Sequence, residues 1–177
     1  MASNAAPEPL EAVREFVNTY DHEDGADALP DAAALTTWLG EHGLGKPKAG
    51  PADLRRTREL RAALHTILRH HAGGALDPAA PRAVDAAADR ARLAVVFDDH
   101  GHARLEPKAA GVDGALGRLL ATVADAQRDG TWPRLKACLA DDCQWAFYDQ
   151  SRNRSGVWCD MKVCGNRHKV REFRARH

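Results

Sequence analysis

Long apolar runs are missing from this 177-residue chain. None approaches the ~20 residues that a membrane-spanning helix needs. The opening segment, Met1–Pro9, has neither a basic start nor an apolar stretch, so it does not read as an export signal and a cytoplasmic location is expected. The chain has ten aromatic residues and two methionines. Its first 137 residues contain no cysteine, so neither a disulfide nor a thiolate metal site can support that part. Signatures of catalysis are also missing: there is no GxSxG, HExxH, phosphate loop or dinucleotide fingerprint. The expectation is a protein that is not an enzyme.

The formal net charge is zero, but the charge is unevenly distributed. From Arg134 to His177 there are ten Lys/Arg against five Asp/Glu, so the rest of the chain carries the compensating negative charge. A basic end on an acidic body suggests that the end meets a polyanion.

Apolar spacing predicts helices over Pro9–Tyr20, Pro30–His42, Asp53–His71, Asp77–Arg90 and Val112–Arg128. In the third, Leu54, Leu60, Leu64, Ile67, Leu68 and His71 form one stripe, which the arginines mostly avoid. Leu93–Leu105 alternates on either side of Asp98-Asp99-His100-Gly101 and reads as a β-hairpin. His70, His71, His100 and His102 lie at turns and read as surface histidines rather than a second metal site. Gly130–Pro133 marks a boundary. The expected fold class is α+β: a mostly helical domain with a hairpin over residues 1–130, then a small module over residues 134–177. The first is long enough to bury its own core. The second is too short to do so and needs a staple.

That staple is legible. Cys138-x₄-Cys143 and Cys159-x₄-Cys164 are two matched pairs with 15 residues between them. Thiolates are the usual ligands of structural Zn²⁺, which takes four of them in a tetrahedron, and a closed shell leaves no open position for catalysis. One structural Zn²⁺ on Cys138, Cys143, Cys159 and Cys164 is the expectation. Leu135–Cys138 reads as a short strand leading into the first turn, and Trp145, Phe147, Tyr148, Trp158 and Phe173 as the cover of the metal. Gly165–Arg176 reads as a helix, with Arg167, Arg171 and Arg174 in one stripe and Val170 and Phe173 turned to the finger's own core. Lys169 lies on the flank, and Arg152, Asn153 and Arg154 occupy a polar loop before the second cysteine pair. A basic stripe on a rigid helix suits phosphate contacts, while Asn153 or Asn166 offers a pattern that can read a base edge.

The run Cys138-x₄-Cys143, Phe147-x-Asp149-x-Ser151-Arg152-Asn153, Trp158-Cys159-x-Met161, Cys164-Gly165-Asn166-Arg167-x-Lys169 closely resembles the CGNR zinc finger. Phe16-Val17-Asn18-Thr19, followed by Leu35, Trp38 and Leu39 and by the helix carrying Arg58-Glu59-Leu60-Arg61, is similar to the opening of the ABATE domain that precedes such fingers. Where that domain has an apolar strand before Asn-Thr, Glu11–Phe16 reads as helix. The resemblance implies a bacterial, stress-induced transcription regulator with a DNA-binding finger. It makes the four cysteines zinc ligands and singles out Ser151, Arg152, Asn153, Asn166, Arg167 and Lys169 for DNA contact or for hydrogen bonding within the finger. Asn18 and Thr19 are polar residues in an apolar segment; they line a pocket for a small-molecule effector or satisfy a helix end. A homodimer would lengthen the site read by one finger. The rival readings are a protein-interaction module, a thiol switch that ejects zinc on oxidation, and RNA binding through the aromatics.

Overall fold

The computed structural model describes residues 5–176. Among them the chain forms six α-helices and two small antiparallel hairpins, in the α+β class. The helices are α1 (Leu10–Val17), α2 (Ala32–Glu41), α3 (Pro51–His71), α4 (Ala79–Ala91), α5 (Gly111–Asp129) and α6 (Asn166–Arg176). Strands β1 (Leu93–Phe97) and β2 (Ala103–Pro107) pair between α4 and α5, and β3 (Leu135–Ala137) and β4 (Ala146–Tyr148) pair after α5.

Local chemistry sets the helix ends. Asp31 Oδ1 accepts the Ala34 N–H at 2.8 Å and caps α2. Pro51 opens α3, where its missing N–H costs nothing, and Asp53 turns back to accept the Gly50 N–H at 2.8 Å. Asp77 accepts the Ala79 N–H ahead of α4. Gly130, at φ 79°, ends α5 in the left-handed conformation that a side chain disfavours.

The main core is aliphatic. Val13 and Phe16 of α1, Leu35 and Leu39 of α2, Leu60, Leu64 and Leu68 of α3, and Leu116 and Leu119 of α5 are all buried. The α3 stripe is therefore as expected, with one exception among its arginines. Arg61 is buried, donating to both carboxylate oxygens of Asp27 at 2.7 and 3.0 Å and to Thr19 Oγ1 at 3.0 Å. It pins the Asp21–Ala28 loop onto α3, so the loop that reads as merely polar is held by a paired, desolvated charge.

This core does not stop at residue 130. Leu135, Ala137 and Ala146 belong to it, and Tyr148 packs against it. Strand alternation explains the division. Successive side chains point to opposite faces, so Leu135 and Ala137 join the helices while Lys136 between them points away, and Phe147 turns to the cysteine cluster while Ala146 and Tyr148 do not. Three polar bridges fix the hairpin to the helices. Asn18 exchanges two hydrogen bonds with the Ala146 backbone, at 2.8 and 2.9 Å. His65 Nε2 donates to the Gln144 carbonyl at 3.0 Å, and His71 Nδ1 to the Leu135 carbonyl at 2.8 Å.

Candidate metal centre and basic helix

The β3–β4 hairpin builds the first half of the site. The Cys138 N–H donates to the Trp145 carbonyl at 3.0 Å, extending the ladder by one step, and the chain then turns through Leu139–Gln144. Ala140 closes that turn by accepting the N–H groups of Cys143 and Gln144, and Gln144 takes φ 57°. Cys138 and Cys143 thus flank one tight loop. The second half is a single π turn, Met161–Gly165, which carries the chain from Cys159 through Cys164 into α6. Asp160 caps it, accepting the N–H groups of Lys162 and Val163 at 2.7 and 3.3 Å. The helix that the sequence places from Gly165 therefore begins one residue later, behind a wider turn. Gly165 is tightly enclosed there: a Cβ would sit 2.5 Å from Met161 Sδ, so the exposed methionine side chain would have to move aside, and 3.2 Å from Trp158.

The four cysteine sulfurs come together within 4.8 Å of one another. Cys143 and Cys159 are 3.5 Å apart and Cys159 and Cys164 3.6 Å, and all four thiols are free of disulfides. No other group of three or more His, Cys, Asp or Glu suited to a metal occurs among the described residues. Crowding sets the ionisation. Hydrogen bonds from the Cys143 and Cys159 thiols push the Cys138 thiol far down, and donating those bonds, together with burial and the charge on Cys138, pushes Cys143 and Cys159 up. Such a cluster suits a cation, which removes the competition by stabilising every thiolate.

Phe147 is buried against the cysteines, with Trp145 and Trp158 packed beside them, as expected for their cover. Tyr148 instead joins the helical core, and Phe173 is 64% exposed. Val170, expected to face the finger's own core, is 48% exposed, and no residue of α6 is buried. The physical reason is that α6 is held to the finger along its Arg167, His168 and Arg171 side, by Asp142 and Trp158, which leaves Val170 on a face open to solvent.

A buried ion pair that the sequence reading did not single out organises the loop between the cysteine pairs. Lys136 Nζ donates to Asp149 Oδ2 at 2.8 Å and to the carbonyls of Arg154 and Gly156 at 2.7 and 2.9 Å. Asp149 also accepts the N–H groups of Ser151 and Gly156 at 3.0 and 2.7 Å. Burial alone would raise the Asp149 carboxyl, but Lys136 and the bonds from Ser151 and Gly156 outweigh it and lower the pKa to about 2. Two signals were available: Lys136, a charged residue in a strand of otherwise apolar neighbours, and Asp149, which stands in the motif quoted for the finger.

The basic residues are held by two different parts of the finger. Arg152, Asn153 and Arg154 are exposed on the Lys136–Asp149 loop. On α6, Asn166, Lys169, Arg171 and Arg174 are exposed, while Arg167 is half-buried. Asp142, between the first two cysteines, receives both Arg167 (3.3 Å) and Arg171 (shortest contact 2.5 Å). Arg167 also reaches Glu23 of the helical region at 3.2 Å and Cys164 Sγ at 3.4 Å, and those two partners hold its guanidinium firmly charged. Asn18 and Thr19 are occupied otherwise: Asn18 holds Ala146, and Thr19 Oγ1 donates to the Phe16 carbonyl and accepts from Arg61. No helix is long and apolar enough to cross a membrane among the described residues.

No curated protein matches the chain. Residues 134–177 match the family model of the CGNR zinc finger, and residues 10–129 match that of ABATE, described as "Putative stress-induced transcription regulator". With more than half of its length in the second match, the chain belongs to the ABATE family and ends in a CGNR zinc finger.

Proposed function

We propose that the protein is a transcription regulator that binds duplex DNA through its C-terminal finger, with one structural Zn²⁺ held by Cys138, Cys143, Cys159 and Cys164 and with a helical domain that senses an effector or dimerises. The sulfur spacings support zinc: a tetrahedral ion with bonds of ~2.3 Å sets its ligands about 3.8 Å apart. Neighbouring sulfurs already stand 3.5 and 3.6 Å apart. A closed thiolate shell supports a structural rather than a catalytic ion.

The observation that carries DNA binding is the position of α6. Arg167 and Arg171 already bind a carboxylate, Asp142, in the geometry that a phosphate would use, and Arg174 extends the same stripe into solvent. Lys169, Arg152 and Arg154 add charge, and Asn153 and Asn166 are exposed beside it. Binding therefore exchanges carboxylate for phosphate at two arginines.

The test is fluorescence anisotropy of the zinc-loaded protein on mixed-sequence duplex DNA at ~50 and ~200 mM salt. Arg171→Ala/Arg174→Ala is the better variant, because Arg167 touches Cys164 and its loss would disturb the cluster. Steep weakening with salt is expected, with a slope reduced by about 2 in the variant. Zinc-loaded protein that fails to bind at either salt would overturn the reading.

One observation favours a second reading, a protein-interaction module. Met161, Val163, Val170 and Phe173 are exposed, and a groove of about 500 Å³ runs along α6 between Val163, Val170 and the arginines. Binding of a protein partner that is insensitive to salt would support it.

A further inference from the structure

β1 is an exposed strand edge of unusual composition. Leu93-Ala94-Val95-Val96-Phe97 carries no charge and no proline, and it pairs on one side only, in a two-stranded sheet. Proteins ordinarily blunt such edges with lysine, proline or a bulge. β2 has those features: Arg104, Glu106 and Pro107 occupy it. β1 has none, and Val95 and Phe97 are 61% and 69% exposed.

The direction of its free backbone groups follows from the ladder. The Asp98 N–H donates to the His102 carbonyl, and the Lys108 N–H to the Arg92 carbonyl. Hydrogen-bonded pairs alternate along an antiparallel ladder, so the even-numbered residues of β1 turn toward β2. Leu93, Val95 and Phe97 therefore present their N–H and C=O groups outward, to the unpaired side.

We propose that β1 pairs with β1 of a second copy of this chain, antiparallel about a two-fold axis through Val95. In that register Val95 opposes Val95 of the copy, and Leu93 opposes its Phe97. All three are residues with outward backbone groups, so every facing pair exchanges its bonds and none is left over. The side chains match as well. Opposed residues share a face, so each Phe97 lies beside the other copy's Leu93, at the mouth of an apolar groove of about 360 Å³ lined by Ile67, Val84, Leu93, Leu105, Leu120 and Val123. The ends match in charge: Arg92 stands opposite Asp98 of the copy, and Asp98 opposite its Arg92. An uncharged strand flanked by one basic and one acidic residue is complementary to itself in this orientation, which favours a second copy over an unrelated strand. The inference specifies the dimerising role proposed above for the helical domain, and it is separable from DNA binding by the finger.

Sedimentation velocity of the full, zinc-loaded chain over ~1–100 µM tests it, because self-association depends on protomer concentration. The expected result is a particle of twice the 19.2 kDa chain mass. Val95→Lys and Val95→Glu, each placing like charges face to face, weaken association at least ~10-fold, with the helical circular dichroism spectrum unchanged. The two variants mixed form a dimer again, because only a self-opposed position can be rescued by swapping charge at one residue. A wild-type monomer at ~100 µM overturns the proposal. So does a dimer that Val95→Lys leaves intact, or a mixture that stays monomeric. A monomer that still binds DNA with steep salt dependence would defeat this inference alone. A dimer that binds no DNA would defeat only the proposed function.

Discussion

Two hydrophobic centres lie side by side in this molecule and are built on different principles. The helical core is filled by leucines from α1, α2, α3 and α5, and it needs no ligand to justify their burial. The finger's centre consists of four thiols, Ala140, Phe147 and two half-covered tryptophans, and its largest polar element is the Lys136–Asp149 pair. The first gains stability from apolar area removed from water. The second buries groups that would rather be charged, so its stability depends on what neutralises them. The β3–β4 hairpin serves both, with Leu135 and Ala137 on one face and Lys136 on the other. Its position makes the finger an extension of the helical core at its base and a cysteine cluster of different chemistry at its tip.

Metal removal should separate the two most sharply. Structural zinc contributes about 10–16 kcal/mol in small fingers, far more than any single contact here. Chelation, or Cys164→Ser, is expected to abolish protection of backbone amides from Cys138 onward while α3 and α5 keep theirs. Hydrogen exchange read by mass spectrometry checks this. Equal loss of protection in α3 would mean that the two centres fold as one.

The buried ion pair ranks next. Lys136→Met leaves the Asp149 carboxylate uncompensated at a site where both side chains are 4% exposed, and should cost about 3–5 kcal/mol. The companion Lys136→Met/Asp149→Leu should cost less than the single change, because no charge is then stranded. Urea titration gives the stability, and proteolysis at Ser151–Gly156 reports the loop. A single variant that costs under ~1 kcal/mol would show that the pair does not organise this region.

The smallest effect concerns the junction. His65 is buried, and desolvation, helped by repulsion from His22 and Arg69, lowers its pKa to about 4 against the opposing effect of the bond to Gln144. Its unfolded value is about 6.5, so between pH 6.5 and 4 the unfolded chain holds a proton that the folded one does not. Stability therefore falls as pH falls through that window, by at most about 3 kcal/mol. His71 shifts the same way, through burial. His65→Gln keeps a donor for the Gln144 carbonyl without the titration, and should flatten most of the slope between pH 6.5 and 4 in urea melts. Asp149, lowered to about 2, stays ionised in the folded chain while its unfolded carboxyl begins to protonate below about pH 5, so the histidine contribution is read cleanly on the part of the slope above pH 5. An unchanged slope in the variant would move the proton uptake elsewhere.

These contrasts also divide what was legible from what was not. The sequence by itself determined every main-core helix, because a 3.6-residue apolar period such as that of Leu60, Leu64 and Leu68 leaves one face that must be buried. It determined the hairpin, by alternation, and the cysteine cluster, by the repeat of one spacing in a part too short to fold unaided. It could not place Val170 and Phe173, because a helix period shows which residues share a face but not whether anything lies against that face. Nor could it find partners distant in the chain. Asn18 with Ala146, His65 with Gln144, Lys136 with Asp149 and Arg167 with Glu23 are pairings of polar groups, which carry no periodicity. Only the tertiary structure decides them, because a buried donor takes whichever acceptor the packing of apolar surfaces brings within reach.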